Sequence, residues 1–161
     1  MSLSRVIAAT AISLFLAACG FQLRGEANVP AEMSRTYIAT NDNYSLFYRN
    51  LRDELKSVGV EVVDLPGDST AVFSILRDYT DQRVLSVSAR NVPREFEVFY
   101  TVSYSVDSGE QSIMAPQSMT LTRDYTYDET QVLGKAREEE LLRRAIVDDL
   151  VRLILKQLSS L

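Results

Sequence analysis

The chain has 161 residues, of which 46% are apolar and 24% are charged, with one Cys and no His. This length predicts one domain with a sizeable core. The absence of His excludes Ser-His-Asp and Cys-His catalysis and any His-ligated metal site. One Cys excludes an intramolecular disulfide and a Cys-rich cluster. The net charge of −5 disfavours a general nucleic-acid binder, which usually has a basic excess.

The N-terminus is typical of an exported protein. Residues 6–18 form an uncharged, largely apolar run after Arg5, and this run is shorter than the roughly 20 residues of a membrane span but suits a signal peptide. It ends in LAAC, which resembles a bacterial lipobox. Residues 1–18 are therefore predicted to be removed, leaving Cys19 with N-acyl and S-diacylglycerol chains that anchor the protein. An ordinary signal peptide with a chance Cys is the alternative.

The first part of the mature chain alternates short strands with a helix. Residues 19–34 are predicted to form a lipidated tether, and residues 35–161 a single domain. Strands are predicted at 36–40 and 60–63. Between them, apolar side chains spaced by four, four and three residues predict an amphipathic helix that ends at Gly59. This apolar stripe is Phe47, Leu51, Leu55 and Val58.

The second part predicts a sheet and a final helix. Residues 72–89 fit one bent strand or a hairpin, and residues 96–106 alternate apolar and polar side chains as in a strand with one buried face. After a turn at 107–110, a partner strand runs to Tyr127. Residues 138–158 predict a long amphipathic helix. The predicted fold class is α+β, one small domain in the order β-α-β-β-β-α. Its sheet is roughly four-stranded and mainly antiparallel, with two helices packed on one face.

Acidic clusters are the main candidates for catalysis. Residues 138–140 are three Glu, and Asp148 precedes Asp149. Acid–base catalysis or a metal site is one interpretation, but helical spacing also explains these residues as a solvated helix face. The sequence contains no P-loop, GxGxxG, HExxH or GxSxG motif. The chain is therefore predicted not to be an enzyme, and no cofactor other than the lipid on Cys19 is expected.

Arginines are concentrated in the predicted sheet. Residues 72–94 hold four Arg against two Asp, in an acidic chain that has no Lys between Lys56 and Lys135. A guanidinium presents a planar set of donors that suits phosphate or carboxylate. Surface charge that maintains solubility is the alternative interpretation. The candidate ligand-binding cations are Arg77, Arg83, Arg90, Arg94, Arg123, Lys135 and Arg137.

Several motifs resemble one family in the same order along the chain. They are CGFQLRG at residues 19–25, EFEV at 95–98, RDYTYD at 123–128 and VLGK at 132–135. Together with the lipobox, they resemble the LPS-assembly lipoprotein family LptE. This chain departs from some relatives in having Asn91, Val92 and Pro93 where they place a Gly.

The resemblance implies a fold, a location and partners. It implies a small sheet with two helices on one side, lipid-anchored in the outer membrane and facing the periplasm, a location that Gly20 after Cys19 also favours. The implied partner is LptD, an outer-membrane β-barrel whose lumen this protein would plug one to one and whose assembly it would assist. The implied ligand is lipopolysaccharide, bound by Arg90 and Lys135. The other five cations named above are secondary candidates.

Two other functions stay open at the level of sequence. One is a lipid-anchored scaffold or binding module of another envelope assembly machine, which a fold alone does not distinguish from the first hypothesis. The other is a periplasmic hydrolase, which requires a concave site with perturbed carboxylates.

Overall fold

The computed structural model describes residues 29–127 and 132–161. The predicted signal peptide, Cys19 and most of the tether lie outside the described residues. Within these ranges there are two α-helices and five strands, in the order β1 Arg35–Ala39, α1 Leu46–Ser57, β2 Glu61–Val63, β3 Ala71–Val87, β4 Pro93–Ser108, β5 Gln111–Thr126 and α2 Val132–Leu158. Short 3-10 turns precede β1 and β3, at Ala31–Met33 and Pro66–Asp68.

The strands form one mixed sheet in the order β2-β1-β3-β4-β5. β1 is parallel to β2 and β3, whereas the long pairs β3–β4 and β4–β5 are antiparallel. The sheet has five strands where roughly four were predicted, because the short strand predicted at residues 60–63 joins the sheet as an edge strand beside β1, over Glu61–Val63. The predicted α+β class, with one domain and two helices over a sheet, is confirmed.

The local signals that predicted α1 have clear structural causes. Ser45 caps the helix, since its side chain accepts a hydrogen bond from the Tyr48 amide at 3.0 Å. The predicted stripe packs into the core, where Phe47, Leu51 and Leu55 are fully buried. After the helix, Gly59 adopts φ 88°, a left-handed conformation that a Cβ would disfavour.

The last helix is longer than predicted. It begins at Val132 rather than at residue 138, since ion pairs three residues apart join Lys135 to Glu138 and Arg137 to Glu140 in its first turns. Gly134, a poor helix former, obscures this start in the sequence. The remainder of α2 packs on the sheet through Ile146, Val147, Leu150, Val151, Ile154, Leu155 and Leu158.

The segment predicted as one bent strand or a hairpin is a single strand, β3, with three irregularities in its pairing with β4. The register shifts between Ile75 and Arg77, between Val84 and Ser86, and between Ser86 and Val87. Each shift leaves one residue unpaired, which bends the strand and increases its twist. Within the described ranges, neither helix is both long enough and apolar enough to cross a membrane.

Candidate functional site

In the part of the chain that the structure describes, one face of the sheet carries no helix. The predicted alternation in β4 is confirmed, because Val98, Val102 and Val106 are buried on the side of the helices. The alternate positions lie on the bare face, where hydroxyl groups pair across strands. The Thr101 and Thr120 hydroxyls lie 2.8 Å apart, and the Ser103 hydroxyl donates to Ser118 at 3.1 Å. This face is suited to an aqueous environment.

Arginines and aromatic rings share this bare face. The guanidinium of Arg77 lies 5.2 Å from the ring centroid of Tyr79, and that of Arg83 lies 6.0 Å from the centroid of Phe99. Both distances fall within cation–π range. Arg83 also pairs with Glu97 at 2.5 Å. The two predicted cations Arg77 and Arg83 are therefore part of a cation–aromatic surface.

The aromatic members of this surface were not predicted as site residues. Tyr79 is 41% exposed, and its hydroxyl donates to Asp81 at 2.8 Å. The sequence contains a signal for this surface, because Arg77 and Tyr79 are two residues apart in a predicted strand and therefore lie on one face of it. The tyrosines of the later strands differ, since Tyr100, Tyr104 and Tyr125 are buried in the core.

Arg90 lies in the turn between β3 and β4. The turn is closed by a hydrogen bond from the Ser88 amide to the Val92 carbonyl at 2.7 Å. Asn91, where some relatives were expected to have Gly, adopts φ 60°, a left-handed conformation that Asn tolerates better than most residues. Arg90 is exposed.

Arg94, β5 and the start of α2 meet at the same end of the sheet as this turn. The Tyr127 amide donates to the Arg94 carbonyl at 2.7 Å, and Phe96 stacks on Tyr125 with 5.6 Å between ring centroids. Burial raises the pKa of Tyr125, and the carboxylates of Glu139 and Glu138 raise it further, which places the first turns of α2 nearby. We call residues 88–96, 125–127 and 134–139 the tip.

Lys135 differs from its predicted environment. The helix predicted at residues 138–158 would leave Lys135 in the segment that precedes it. It lies instead inside α2, with only 18% of its side chain exposed, and its Nζ donates to Glu138 Oε2 at 2.7 Å. An anionic ligand at Lys135 therefore has to compete with Glu138. Arg137 is 70% exposed and lies 3.9 Å from Glu140 Oε2.

Arg123 lies on the other face of the sheet from Arg77 and Arg83. Its guanidinium donates to Asp149 Oδ2 at 2.5 Å and so joins β5 to α2. This hydrogen bond holds the pKa of Asp149 below its usual range, and Arg152 contributes in the same direction. Arg123 is therefore a contact between the sheet and the helix. The seven predicted cations occupy three surfaces: the bare face, the tip and the junction of β5 with α2.

A buried polar pair lies beneath the helices. The Tyr100 hydroxyl donates to Asp78 Oδ1 at 2.5 Å. Burial is the main reason that the pKa of Tyr100 is raised, and the hydrogen bond to Asp78 adds to it. Asp78 Oδ2 is buried without a hydrogen-bond partner among the described residues. Within those same ranges, no group of three His, Cys, Asp or Glu side chains is placed to hold a metal ion.

Fold and site together define a small α+β domain with one helix-covered sheet face, one bare hydroxyl-rich face and a cationic tip. Residues 33–158 match the model of the family LptE, described as lipopolysaccharide-assembly. The chain thus belongs to the LptE family, as the motifs predicted.

Individual relatives agree with this assignment. The LPS-assembly lipoprotein LptE of Yersinia enterocolitica is 26% identical over 146 residues, covering 90% of this chain and 70% of that protein. Lipoprotein B from Nitrosomonas europaea has a similar structure, with a TM-score of 0.70, 30% identity and coverage of 88% of this chain and 91% of that one. The rare lipoprotein B from Shewanella oneidensis gives a TM-score of 0.68 at 26% identity, covering 78% of this chain and 94% of that one.

Proposed function

We propose that this protein is a non-catalytic outer-membrane lipoprotein of lipopolysaccharide assembly. Acyl chains on Cys19 anchor it to the inner leaflet, and the domain faces the periplasm. It plugs the lumen of the barrel LptD one to one, assists assembly of that barrel and binds lipopolysaccharide on its way to the outer leaflet. The observation that carries this proposal is membership of the LptE family across residues 33–158.

The bare face of the sheet supports a position inside a water-filled barrel. Its central rows present hydroxyls, such as the Thr101–Thr120 and Ser103–Ser118 pairs, instead of large aliphatic side chains. A protein that packed this face against an apolar surface would desolvate those hydroxyls at a cost of roughly 1–3 kcal/mol for each one left without a partner. A wet lumen imposes no such cost.

The tip supports recognition of a phosphorylated glycolipid. Arg90 projects from a tight turn and is exposed, Arg94 is exposed on the adjoining strand, and Lys135 lies in the first turn of α2. Guanidinium groups form charge-assisted, bidentate hydrogen bonds with phosphate. In an acidic chain, this local gathering of cations is what an anionic ligand requires.

Co-purification of the full-length acylated protein from detergent-extracted membranes tests the partner. We expect a large β-barrel in one-to-one ratio. Recovery with a different envelope complex, or with no barrel at all, contradicts the proposal.

Charge reversal at the tip tests the ligand. Arg90→Asp is expected to weaken lipopolysaccharide binding by about tenfold or more, equivalent to roughly 1.4 kcal/mol. Arg49→Asp is the matched control, because Arg49 is also exposed but lies on α1, and Asp in the first turn of that helix favours its dipole. Equal affinity of the two variants removes Arg90 from the site.

A further inference from the structure

The two edges of the sheet differ in length and protection. β2 closes one edge with only three residues, whereas β5 leaves sixteen residues along the other edge. Natural sheets usually protect a long edge with Lys, Pro or a bulge, since its free amides and carbonyls can pair with another strand. In β5 the pairing irregularities and Pro116 lie in the first half of the strand.

The second half of β5 has neither a Pro nor a bulge, and its two charged residues, Arg123 and Asp124, are of opposite sign. Residues 117–126 pair with β4 in ten successive steps without a shift in register. Their sequence, QSMTLTRDYT, has no Lys, Pro or Gly and is rich in residues that favour strands. This stretch, which we call the free edge, is a regular template for one more strand.

The groove beside the free edge carries a net positive charge. A groove of about 460 Å³ separates β5 from α2, and its charged lining consists of Arg123, Arg152, Lys156 and Asp149. Three cations against one carboxylate give this lining a net charge of +2. Asp149 is shared between Arg123 and Arg152 and leaves Lys156 without a carboxylate in the lining.

Charge also disfavours a second copy of the same chain. Antiparallel pairing of two free edges, with residue 121 or 122 at the two-fold axis, would place the two positive grooves side by side on one face of the joined sheet, where their charges repel. An added strand with acidic side chains towards the groove would meet opposite charge instead. Leu121 and Leu153 in the lining offer apolar contact between the cations.

We propose that the free edge of β5 binds an extended acidic segment of a partner protein by strand addition. The segment alternates acidic or aliphatic side chains towards the groove with small polar ones beside Ser118, Thr120 and Thr122 on the bare face. This interface goes beyond the proposed function, because it requires neither the tip nor a glycolipid. Backbone pairing supplies the affinity, and the groove selects charge.

A designed peptide tests strand addition on the full-length acylated protein in detergent micelles. The probe is Thr-Glu-Thr-Leu-Thr-Glu-Thr-Leu-Thr-Glu, followed by nuclear magnetic resonance of the labelled protein. We expect shifts in the amides of residues 117–126 and hydrogen exchange slowed by about tenfold or more at alternate residues. A peptide with Lys in place of Glu is expected to bind about tenfold more weakly.

The control that separates strand addition from simple charge attraction is the same acidic peptide with alternate amides N-methylated, which is expected not to bind. Equal binding of the methylated peptide overturns the proposal, as does protection of the free edge by self-association without peptide. Absence of any shift at millimolar peptide overturns it as well.

A pair of substitutions tests the groove. The double variant Arg152→Glu, Lys156→Glu reverses two exposed charges. It is expected to lower the affinity for the acidic peptide by about tenfold and to raise the affinity for the Lys peptide. Arg49→Glu with Lys56→Glu makes the same change in charge on exposed positions of α1, away from the groove, and should leave both peptides unaffected. Equal effects of the two double variants overturn the role assigned to the groove.

Discussion

Replacement of Glu138 by Gln is expected to tighten lipopolysaccharide binding by releasing Lys135. The two side chains form an ion pair of 2.7 Å in the first turns of α2, and Lys135 is only 18% exposed. A phosphate that approaches Lys135 meets repulsion from the Glu138 carboxylate. Gln keeps the size and the acceptor oxygen of Glu, so the helix start is retained while the negative charge is removed.

The size of the effect follows from the environment of the pair. Two unit charges about 4 Å apart interact by roughly 1 kcal/mol in water and roughly 4 kcal/mol at an effective dielectric constant of 20. Helix pairs open to solvent are worth only about 0.3–0.5 kcal/mol. Because Glu138 is 43% exposed, a gain of about 0.5–1.4 kcal/mol is expected, which corresponds to roughly two- to tenfold in affinity.

The assay is a titration of the full-length protein in detergent with lipopolysaccharide at low ionic strength. Asp148→Asn is the matched control, since it removes the same charge from an exposed position of the same helix, where the carboxylate accepts a hydrogen bond from Asn50 instead of pairing with a cation of the tip. The gain should shrink as salt is added. Equal affinities of the Glu138→Gln and Asp148→Asn variants would refute the reasoning. Persistence of the gain after Lys135→Gln would do so too, because the gain would then not act through Lys135.

Two further predictions concern stability. Leu55→Ala removes a fully buried side chain of α1 and should lower the free energy of unfolding by about 2–5 kcal/mol. Lys56→Ala, at the exposed neighbouring position, should change it by no more than about 0.5 kcal/mol. Denaturant titration measures both values. Burial raises the pKa of Tyr104 to about 12, above its usual value of about 10. The unfolded chain therefore loses this proton first, and stability falls between about pH 10 and pH 12. Between pH 9 and pH 11, the free energy of unfolding should fall by about 1.4 kcal/mol less in the Tyr104→Phe variant than in the parent protein. Tyr100 and Tyr125 titrate alike in both proteins and so cancel in this comparison. An identical fall in the variant would contradict the assignment to Tyr104.

The regular parts of the fold could be predicted because each of them buries one face. Alternation in residues 96–106 marks β4, where Val98, Val102 and Val106 contact the core and Thr101 and Ser103 do not. The spacing of Phe47, Leu51 and Leu55 marks α1 in the same way. In both elements the apolar residues recur with the same period as the backbone, so the local sequence is sufficient to predict the type of element and its buried face.

The irregular parts depend on long-range pairing. The shift after Ile75 changes which residues of β3 face the helices, and it is this shift that places Asp78 opposite Val102 and beside Tyr100. Nothing in the local sequence distinguishes this arrangement from an exposed Asp in a regular strand. A bulge is defined by the partner strand as well as by its own residues, so its position could not be derived from residues 72–89 alone.

The arginines show why residue type and spacing define the candidate site only in part. The sequence groups Arg77, Arg83, Arg90 and Arg94 by their proximity in the chain, and β3 then separates them over the bare face and the tip. Arg123 joins α2 instead, through Asp149. Reversal of an arginine's charge is therefore expected to have a different effect at each of these locations. Loss at the tip should weaken ligand binding without loosening the fold, whereas loss of Arg123 removes a contact between β5 and α2 beside the free edge. A defect in lipopolysaccharide transport after substitution of Arg123 is therefore explained by the lost contact between α2 and β5, and it is not evidence that Arg123 binds the ligand.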